Sequence, residues 1–222
     1  MAGVSLITGG KGISKRDKTD FYPTPVPSTL ALFDSGYLEY DYKSVLEPAA
    51  GKGDIVKVVK HYYPNAKIDA FDLYDYKSDI VVSGKDFLKE DYDNYDLVIT
   101  NPPYNSKILM PFVEKAINVA TKSVAMFLKI TFLEGKKRYD FFKNNRMLKY
   151  VLVFSDRQPL YKNGIVDNSG NAICYAWYIW DKSYDGLPTI DWIRSDIYDI
   201  EPYGDVEEYF KKKKKSNIDE IF

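Results

Sequence analysis

Hydrophobic residues along this chain occur in short apolar runs that alternate with segments of helical spacing. Seven runs rich in Val, Ile, Leu and aromatic residues predict β-strands, at residues 43–48, 67–75, 79–84, 95–100, 123–130, 149–154 and 172–180. From Asp54 the apolar positions recur every three or four residues, and Pro64 ends this predicted helix. A second stripe of this kind covers 109–120, and a polar, Lys-rich helix is predicted around 133–145. The alternation predicts an α/β fold with a mostly parallel sheet and helices on both of its faces.

The last two predicted strands are expected to pair antiparallel. Only a polar stretch separates them, whereas a parallel crossover would usually need a packed helix. After residue 182 the pattern predicts turns and one short segment around 205–215. We therefore divide the chain into a basic N-terminal arm at 1–20, a main domain at 21–182, and a C-terminal appendage at 183–222 that carries a run of lysines.

Composition narrows the possible chemistry. The 222 residues suffice for one domain with a full core. The single cysteine, Cys174, excludes a disulfide framework and favours a cytoplasmic location, and the single histidine, His61, argues against zinc sites and His-based triads. No run reaches the roughly 18 apolar residues of a membrane span. The formal net charge of -1 gives no global basic field, so contact with nucleic acid would depend on local patches.

A glycine-rich turn follows the first predicted strand. In LEPAAGKGD, residues 46–54, small residues stand between a strand and a helix, where backbone N–H groups can approach a ligand closely. The turn contains Gly51 and Gly53, but it lacks the Lys-Ser/Thr of a P-loop and the third glycine of the dinucleotide motif. Taken alone, it is also compatible with an ordinary tight turn.

Acidic residues follow the next two predicted strands, at the same edge of the sheet. Asp72 stands at the carboxyl end of the second strand, where a carboxylate can bind both hydroxyls of a ribose. Asp72 or Asp75 could instead be a strand-end charge. After the third strand, Asp86 offers an acceptor for an adenine amino group and Phe87 offers an apolar face for the ring. The alternative is a turn acid beside a core phenylalanine.

The fourth predicted strand ends in Asn101-Pro102-Pro103-Tyr104. A ladder strand cannot continue through two prolines, because proline donates no backbone N–H. The side-chain carbonyl of Asn101 and the rigidly held carbonyl of Pro102 are two acceptors that suit an exocyclic amino group with two N–H bonds. Tyr104 offers a flat face for stacking a planar base or amide. Combined with the glycine turn and the acids, the motif predicts chemistry on an amino nitrogen.

The order of these motifs resembles that of the S-adenosylmethionine-dependent N6-adenine DNA methyltransferases of the gamma arrangement, and the chain looks like the small methylases often encoded by phages and prophages. FYPTP (21–25) is similar to the motif that closes over the methionine end of the cofactor. VLEPAAGKGDIV (45–56) is similar to the glycine motif, and YDLVITNPPY (95–104) to the catalytic motif. The resemblance covers about residues 20–182.

This resemblance implies a Rossmann-like class I methyltransferase fold with a seven-stranded, mostly parallel sheet whose last strand is antiparallel. It implies S-adenosyl-L-methionine as cofactor, S-adenosyl-L-homocysteine as product, no metal, and an adenine that is flipped out of DNA. The implied catalytic residues are Asn101, Pro102, Pro103 and Tyr104. The implied cofactor-binding residues are Tyr22, Thr24, Pro25, Glu47, Pro48, Ala49, Gly51, Gly53, Asp72, Asp86, Phe87 and Asn101.

Recognition of DNA is expected to depend on a small element. Larger members of the resembled family carry a sizeable target-recognition domain, whereas only 40 residues follow residue 182 here. The stretch 156–172 is expected to leave the active edge of the sheet, and its residues Arg157, Tyr161 and Lys162 suit phosphate and base contacts. An ordinary hairpin connection is the alternative.

Two other functions are compatible with the same motifs. The Asn-Pro-Pro-Tyr motif also serves glutamine methylation in release-factor methyltransferases, and related motifs serve RNA adenines. EPAAGKG and FYPTP favour the DNA branch over glutamine, whereas RNA is not excluded. A non-catalytic binding module of the same fold would be expected to lose the Asn-Pro-Pro-Tyr motif or the glycine turn, and both are intact. The recognition sequence, the preference for duplex or single strand, and the oligomeric state stay open.

Overall fold

The computed structural model describes residues 21–161 and 173–219 and consists of one eight-stranded sheet with helices on both faces. The helices are α1 (Val26–Asp34), α2 (Asp54–Tyr62), α3 (Leu109–Val119), α4 (Tyr139–Asn144) and α5 (Val206–Asp219). The strands are β1 (Ser44–Glu47), β2 (Lys67–Asp72), β3 (Val82–Ser83), β4 (Tyr95–Thr100), β5 (Ala120–Lys129), β6 (Leu148–Phe154), β7 (Tyr175–Asp181) and β8 (Thr189–Ile193). Two short 3₁₀ turns, Ile130–Leu133 and Lys136–Arg138, precede α4.

The order of the strands confirms the predicted doubly wound α/β architecture. Across the sheet the order is β3-β2-β1-β4-β5-β7-β6-β8. β7 runs antiparallel to its neighbours β5 and β6, as predicted for the last two apolar runs, and the other described strand pairs are parallel. The chain winds outward from β1 through β2 to β3 and then returns to β4 beside β1. In open α/β sheets, ligands bind at the carboxyl ends of strands that flank such a reversal.

The sheet has eight strands rather than the predicted seven. The additional strand, β8, lies after residue 182 and extends the sheet beside β6 as a parallel edge strand. It is only five residues long and none of them is buried, so no buried apolar run marks it in the sequence. The antiparallel strand is therefore β7 and not the last strand of the chain. The third predicted strand, at 79–84, is shorter in the structure, where β3 consists of two exposed residues.

The core forms on both faces of the sheet. Successive residues of a strand point to opposite sides, so Leu97 and Ile99 pack with α1 and α2 on one face, while Val98 packs against α3 on the other. All three side chains are fully buried. Burial on both faces explains why the sequence of β4 reads as a continuous apolar run.

A buried polar network anchors α1, which directly follows FYPTP, to the far end of the sheet. The hydroxyl of Ser28 donates to the side-chain carbonyl of Gln158, and the amide of Gln158 donates to Ser195 Oγ at 3.1 Å. The indole of Trp177 in β7 donates to the Ser28 carbonyl at 2.8 Å. Because these groups are buried, each needs its partner. The network therefore holds the N-terminal motif at a defined place beside the carboxyl edge.

Candidate active site

The glycine turn and the Asn-Pro-Pro-Tyr motif lie side by side at the carboxyl edge. β1 and β4 are hydrogen-bonded neighbours, with Val45 opposite Leu97 and Leu46 opposite Val98. The turn leaves the end of β1 and the motif leaves the end of β4, so the two segments emerge next to each other. This position is the topological switch point of the sheet.

The glycine turn adopts a backbone that favours glycine at two positions. Gly51 has φ +57° and Gly53 has φ +80°, both in the left-handed region. Gly53 forms the N-cap of α2, and its N–H donates to the carbonyl of Ala50 at 2.7 Å. The N–H of Gly51 donates to Asp72 Oδ2 at 2.8 Å. The turn is thus held against the end of β2, with the first turn of α2 directly behind it.

The carboxylate of Asp72 lies inside the site. It is 7% exposed and also accepts the backbone N–H of Tyr74 at 2.8 Å. Burial raises the pKa of Asp72, and the backbone donors from Tyr74 and Gly51 partly oppose that shift. Asp75, the other acid considered from the sequence, is exposed and pairs with Lys77 at the surface. The structure therefore places Asp72, and not Asp75, against the glycine turn.

Glu47, the last residue of β1, is a buried carboxylate with spare hydrogen-bonding capacity. It is 2% exposed, and the backbone N–H of Val56 in α2 donates to it. Its Oε2 atom has no hydrogen-bond partner among the residues that the structure describes. Burial, followed by the nearby charges of Asp54 and Asp72, raises the pKa of Glu47 well above its ordinary value of 4.5. A cationic N–H donor would satisfy both the orphaned oxygen and the buried charge.

Phe21, the first residue of FYPTP, covers the glycine turn. A Cβ atom added to Gly51 would lie 2.3 Å from Phe21 Cε2, so a side chain at this position would collide with the ring. The ring of Phe21 also stacks on that of Tyr76, with centroids 4.3 Å apart. Tyr76 follows β2 and the acid Asp72. Two aromatic rings thus lie against the turn, where they can contact a flat ligand.

The Asn101 side chain connects the Asn-Pro-Pro-Tyr motif with FYPTP. Its Nδ2 donates to the backbone carbonyl of Tyr22 at 3.1 Å, and its Oδ1 accepts the hydroxyl of Tyr104 at 2.6 Å. The Tyr22 carbonyl therefore fixes which end of the amide faces FYPTP, and the acceptor end faces the Tyr104 hydroxyl. An amide oxygen has two lone pairs. A second N–H donor can bind at Oδ1 without displacing the tyrosine.

Tyr104 is half-buried and anchored by its hydroxyl. Besides Asn101 Oδ1, the hydroxyl lies 3.0 Å from the carbonyl of Phe127 in β5. Burial raises the pKa of Tyr104 well above its ordinary value, so the hydroxyl keeps its proton. The ammonium group of Lys129, at the end of β5, stands 5.2 Å from the centroid of the ring. That a base stacks on this ring stays a prediction.

The remaining implied cofactor residues differ in their surroundings. Asp86 caps a turn by accepting the N–H of Leu88 at 3.1 Å, and a hydrogen bond from Lys89 lowers the pKa of Asp86. The Phe87 ring is 3% exposed and packs against Phe112, so it is a core side chain. Contact of this pair with an adenine stays a prediction. Thr24, Pro25, Pro48 and Pro102 are buried, Ala49 is partly buried, and Pro103 is exposed.

The candidate DNA contacts lie beyond the end of β6. Arg157 is exposed, and its guanidinium donates to Cys174 Sγ, whereas Tyr161 is half-buried and its backbone N–H donates to the Tyr203 hydroxyl at 3.3 Å. Lys162 lies outside the described residues, as do most of the stretch 156–172 and the arm 1–20. The role of these residues in DNA binding stays a prediction.

Two residues of the site did not emerge from the sequence. Tyr76 stacks on Phe21, and Lys129 stands over the Tyr104 ring. Both follow a strand at its carboxyl end: Tyr76 comes four residues after Asp72, and Lys129 ends the apolar run of β5. An aromatic or charged residue just past a predicted parallel strand is the signal that could have identified them.

The described ranges, 21–161 and 173–219, contain neither a cluster of metal-ligating side chains nor an apolar helix of membrane length. Within those ranges, no cluster of three or more His, Cys, Asp or Glu side chains could hold a metal ion. No helix there combines the length and the apolar composition that a membrane crossing requires.

The fold, with its reversed β7 strand and its candidate site residues at the carboxyl ends of β1, β2 and β4, is a Rossmann-like methyltransferase architecture. Solved structures share it. The methyltransferase subunit of a type I restriction-modification system from Streptococcus thermophilus matches with a TM-score of 0.60 and 16% identity over 90% of this chain. A modification subunit of a putative type I restriction enzyme from Vibrio vulnificus matches with a TM-score of 0.55 and 14% identity over 81% of this chain.

A third match shows how widely this fold is used. A predicted O-methyltransferase from Agrobacterium tumefaciens has a TM-score of 0.52 at 10% identity and covers 76% of this chain and 85% of its own. The chain spans only about half of the two restriction-modification subunits, 54% and 48% of their lengths. No protein-family model and no curated protein matches the sequence. At these identities the similarity establishes the fold.

Proposed function

We propose that this chain is an S-adenosylmethionine-dependent methyltransferase that methylates the N6 amino group of adenine in DNA. The observation that carries the proposal is the junction at Asn101. Its amide is oriented by the Tyr22 carbonyl on one side and by the Tyr104 hydroxyl on the other, next to the glycine turn at the switch point. Two sequence motifs, FYPTP and Asn-Pro-Pro-Tyr, therefore meet at one amide beside the glycine turn.

The residues around the glycine turn fit the proposed cofactor. The orphaned Oε2 of Glu47 suits the ammonium group of a methionine moiety, and the carboxylate of Asp72 suits ribose hydroxyls. Glycine at position 51 leaves room for the Phe21 ring, which covers the turn, because a Cβ there would lie 2.3 Å from Phe21 Cε2. When bound, S-adenosylmethionine supplies an electrophilic methyl group on a sulfonium sulfur.

The chain's own contribution is to position and polarise the amino nitrogen. The lone pair of an adenine amino group is delocalised into the ring, so the nitrogen is a poor nucleophile. Accepting its N–H bonds at Asn101 Oδ1 and at the Pro102 carbonyl favours a more tetrahedral nitrogen with a localised lone pair. Both acceptors are held before the reaction begins, one by the Tyr104 hydroxyl and the other by the proline backbone. Positioning and preorganised electrostatics then account for the acceleration.

DNA is the substrate that the observations favour. The two solved structures described above belong to restriction-modification systems, which supports DNA over a protein glutamine. An adenine inside a duplex cannot reach Asn101, so it must be flipped out of the stack. RNA adenines would use the same acceptors, and the assay below separates the two nucleic acids.

Asn101→Ala tests the proposal. The protein is incubated with labelled cofactor and with unmethylated DNA, RNA or release factor, and the modified nucleoside or residue is identified by mass spectrometry. We expect N6-methyladenine in DNA, and a loss of at least about 100-fold in turnover for Asn101→Ala, because an acceptor that acts in the transition state is removed. Cofactor affinity, measured by calorimetry, is expected to stay nearly unchanged.

Asn105→Ala is the matched control. It makes the same truncation four residues further on, where the Asn105 side chain is exposed and only accepts the N–H of Lys107. This variant should keep full turnover. Undiminished turnover in Asn101→Ala would contradict the mechanism, and label on a cytosine amino group would overturn the assignment to adenine.

A further inference from the structure

A second concave surface lies on the α3 and α4 side of the sheet, away from the glycine turn. It is a cleft of about 720 Å³ between α4 and the segment that leads into β8. Its apolar lining comes mainly from Leu133, Phe142, Leu148 and Leu187, and its cations are Lys136, Lys143 and Arg146. No carboxylate lines this cleft within the described residues. We call it, together with the neighbouring face of β8, the α4 surface.

The α4 surface is a basic region of a chain whose net charge is -1. Residues 129–149 contain seven Lys or Arg and only two acidic residues. Lys136, Lys137 and Lys143 are exposed and form no ion pair with any residue in the described ranges. Arg146 pairs with Asp185 at 3.4 Å. Three unpaired ammonium groups thus stand close together in sequence along one segment.

This basic segment begins at the catalytic edge. Lys129 ends β5 with its ammonium group over the Tyr104 ring. Just beyond it, the guanidinium of Arg138 donates to the carbonyl of Phe132 at 2.8 Å and to that of Thr131 at 3.0 Å. These hydrogen bonds fold the Lys136–Arg138 turn back onto the end of β5. Cations therefore continue from the Asn-Pro-Pro-Tyr motif to the cleft.

Flat and apolar side chains are exposed on the same side of the sheet as the lysines. In the pairing of β6 with β8, Val151 lies opposite Ile190 and Val153 lies opposite Trp192. Val151 belongs to the core on the α3 side, so Ile190 and Trp192 face that same side. Trp192 is 65% exposed and Tyr139, at the start of α4, is 64% exposed. Exposed aromatic rings next to unpaired cations are the elements of a single-stranded nucleic-acid platform.

We infer that the α4 surface binds the nucleic acid that carries the target base, with its lysines on phosphates and its aromatic rings on exposed bases or sugars. The inference rests on the proposed function and names the surface that would hold the substrate outside the catalytic pocket. An acidic protein segment would also be complementary in charge. The continuity of cations with the catalytic motif and the exposed flat rings favour nucleic acid.

The first test removes the unpaired lysines together. In the triple variant Lys136→Ala, Lys137→Ala and Lys143→Ala, binding of a fluorescein-labelled oligonucleotide is followed by anisotropy over a range of salt concentrations. With a single-stranded oligonucleotide we expect affinity to fall at least about tenfold at 0.1 M salt, and the slope of log K against log salt to fall by about 2, since each phosphate contact contributes about 0.7. Cofactor affinity should not change.

The matched control removes the same charge from the other face of the sheet. α5 packs against α2 on the side opposite α4, and its lysines Lys211, Lys214 and Lys215 are exposed. Replacing these three with alanine should leave both the affinity and the salt slope near those of the unmodified protein. An equal loss of affinity in both triple variants would overturn the inference, because it would show that binding depends on the total charge of the protein and not on the α4 surface.

The second test uses the tryptophans as reporters. The sequence has three, of which Trp177 and Trp180 are fully buried while Trp192 is exposed. Acrylamide quenching of intrinsic fluorescence therefore reports mainly on Trp192. We expect a bound oligonucleotide to protect it, and Trp192→Phe to abolish that signal while retaining binding. Trp192→Ala should weaken binding about fivefold or more. Protection by poly-L-glutamate but not by DNA would assign the surface to an acidic protein partner and overturn the inference.

These measurements separate the two proposals, because binding is recorded without methyl transfer. If the lysine variant loses DNA binding but the protein transfers no methyl group to DNA, the proposed function fails and the α4 surface stands. If DNA is methylated and the lysine variant binds it with unchanged affinity, the α4 surface fails and the proposed function stands.

Discussion

Removal of the Tyr104 hydroxyl separates its role in orienting Asn101 from the role of its ring. In Tyr104→Phe the ring stays, but Asn101 Oδ1 loses a donor at 2.6 Å and the Phe127 carbonyl loses its contact at 3.0 Å. A hydroxyl has one proton, so one hydrogen bond is lost and one acceptor is left short of a partner. The expected cost is about 1–2 kcal/mol of unfolding free energy, which lowers the melting temperature by about 2–8 °C in a chain of this size.

Turnover should fall by about tenfold, equivalent to roughly 1.4 kcal/mol in the activation free energy. The loss should be smaller than in Asn101→Ala, because the Tyr22 carbonyl still holds the other end of the amide. The Michaelis constant for the cofactor should stay constant, because the hydroxyl faces Asn101 and Phe127 rather than the glycine turn. Single-turnover kinetics with labelled cofactor measures the chemical step directly.

Tyr95→Phe is the matched control. Tyr95 begins the same strand, β4, at the opposite edge of the sheet, and its hydroxyl donates to Asp69 Oδ2 at 2.6 Å. It should lose comparable stability without any loss of turnover. If the Tyr104 hydroxyl acts through Asn101, its removal should have little further effect in an Asn101→Ala background. Full turnover in Tyr104→Phe, or an undiminished effect in the double variant, would refute the reasoning.

Two further predictions concern the cofactor side of the site. Burial raises the pKa of Glu47, so the stability linked to this carboxyl is fully present below its ordinary pKa of 4.5 and is lost as pH rises through the folded-state pKa. In chemical denaturation, Glu47→Gln should therefore become more stable relative to the unmodified protein as pH rises. In calorimetry, the same variant should bind the cofactor more weakly. Gly53→Ala should cost about 1–2 kcal/mol, seen as a lower denaturation midpoint, because φ is +80° and the new Cβ would lie 2.7 Å from Ile80 Cδ1. A pH-independent difference between Glu47→Gln and the unmodified protein, or unchanged stability in Gly53→Ala, would contradict these expectations.

The sequence predicted those parts of the fold that rest on local pattern. The strand of Leu97, Val98 and Ile99 could be recognised because burial on both faces requires a continuous apolar run. α1 could not, since nearly all of its residues are buried and it therefore lacks the polar face that reveals an amphipathic helix. β8 was missed for a different reason, because it is an edge strand of only five residues that exposes Ile190 and Trp192 and has no buried apolar run.

The placement of site residues was predictable where backbone topology determines it. Gly51 and Asp72 follow neighbouring parallel strands, so their meeting at one edge follows from the order of β1 and β2. The surroundings of Phe87 could not be predicted in this way. Its ring packs on Phe112 in the core, and its contact with an adenine stays a prediction. Which way a side chain turns depends on tertiary packing that a single sequence does not display.

The direction of the Tyr104 side chain restricts how a base can stack on it. Its hydroxyl is anchored inward on Asn101 and Phe127, so the plane of the ring is fixed, and the Lys129 ammonium stands over the ring at 5.2 Å. If a base stacks on this ring as proposed, it uses the opposite face or takes the place of that ammonium group. In the second case the displaced ammonium group would need an anionic partner such as a phosphate, because the cations along α4 would repel it. Stacking in the pocket and phosphate binding outside it would then be coupled through one side chain.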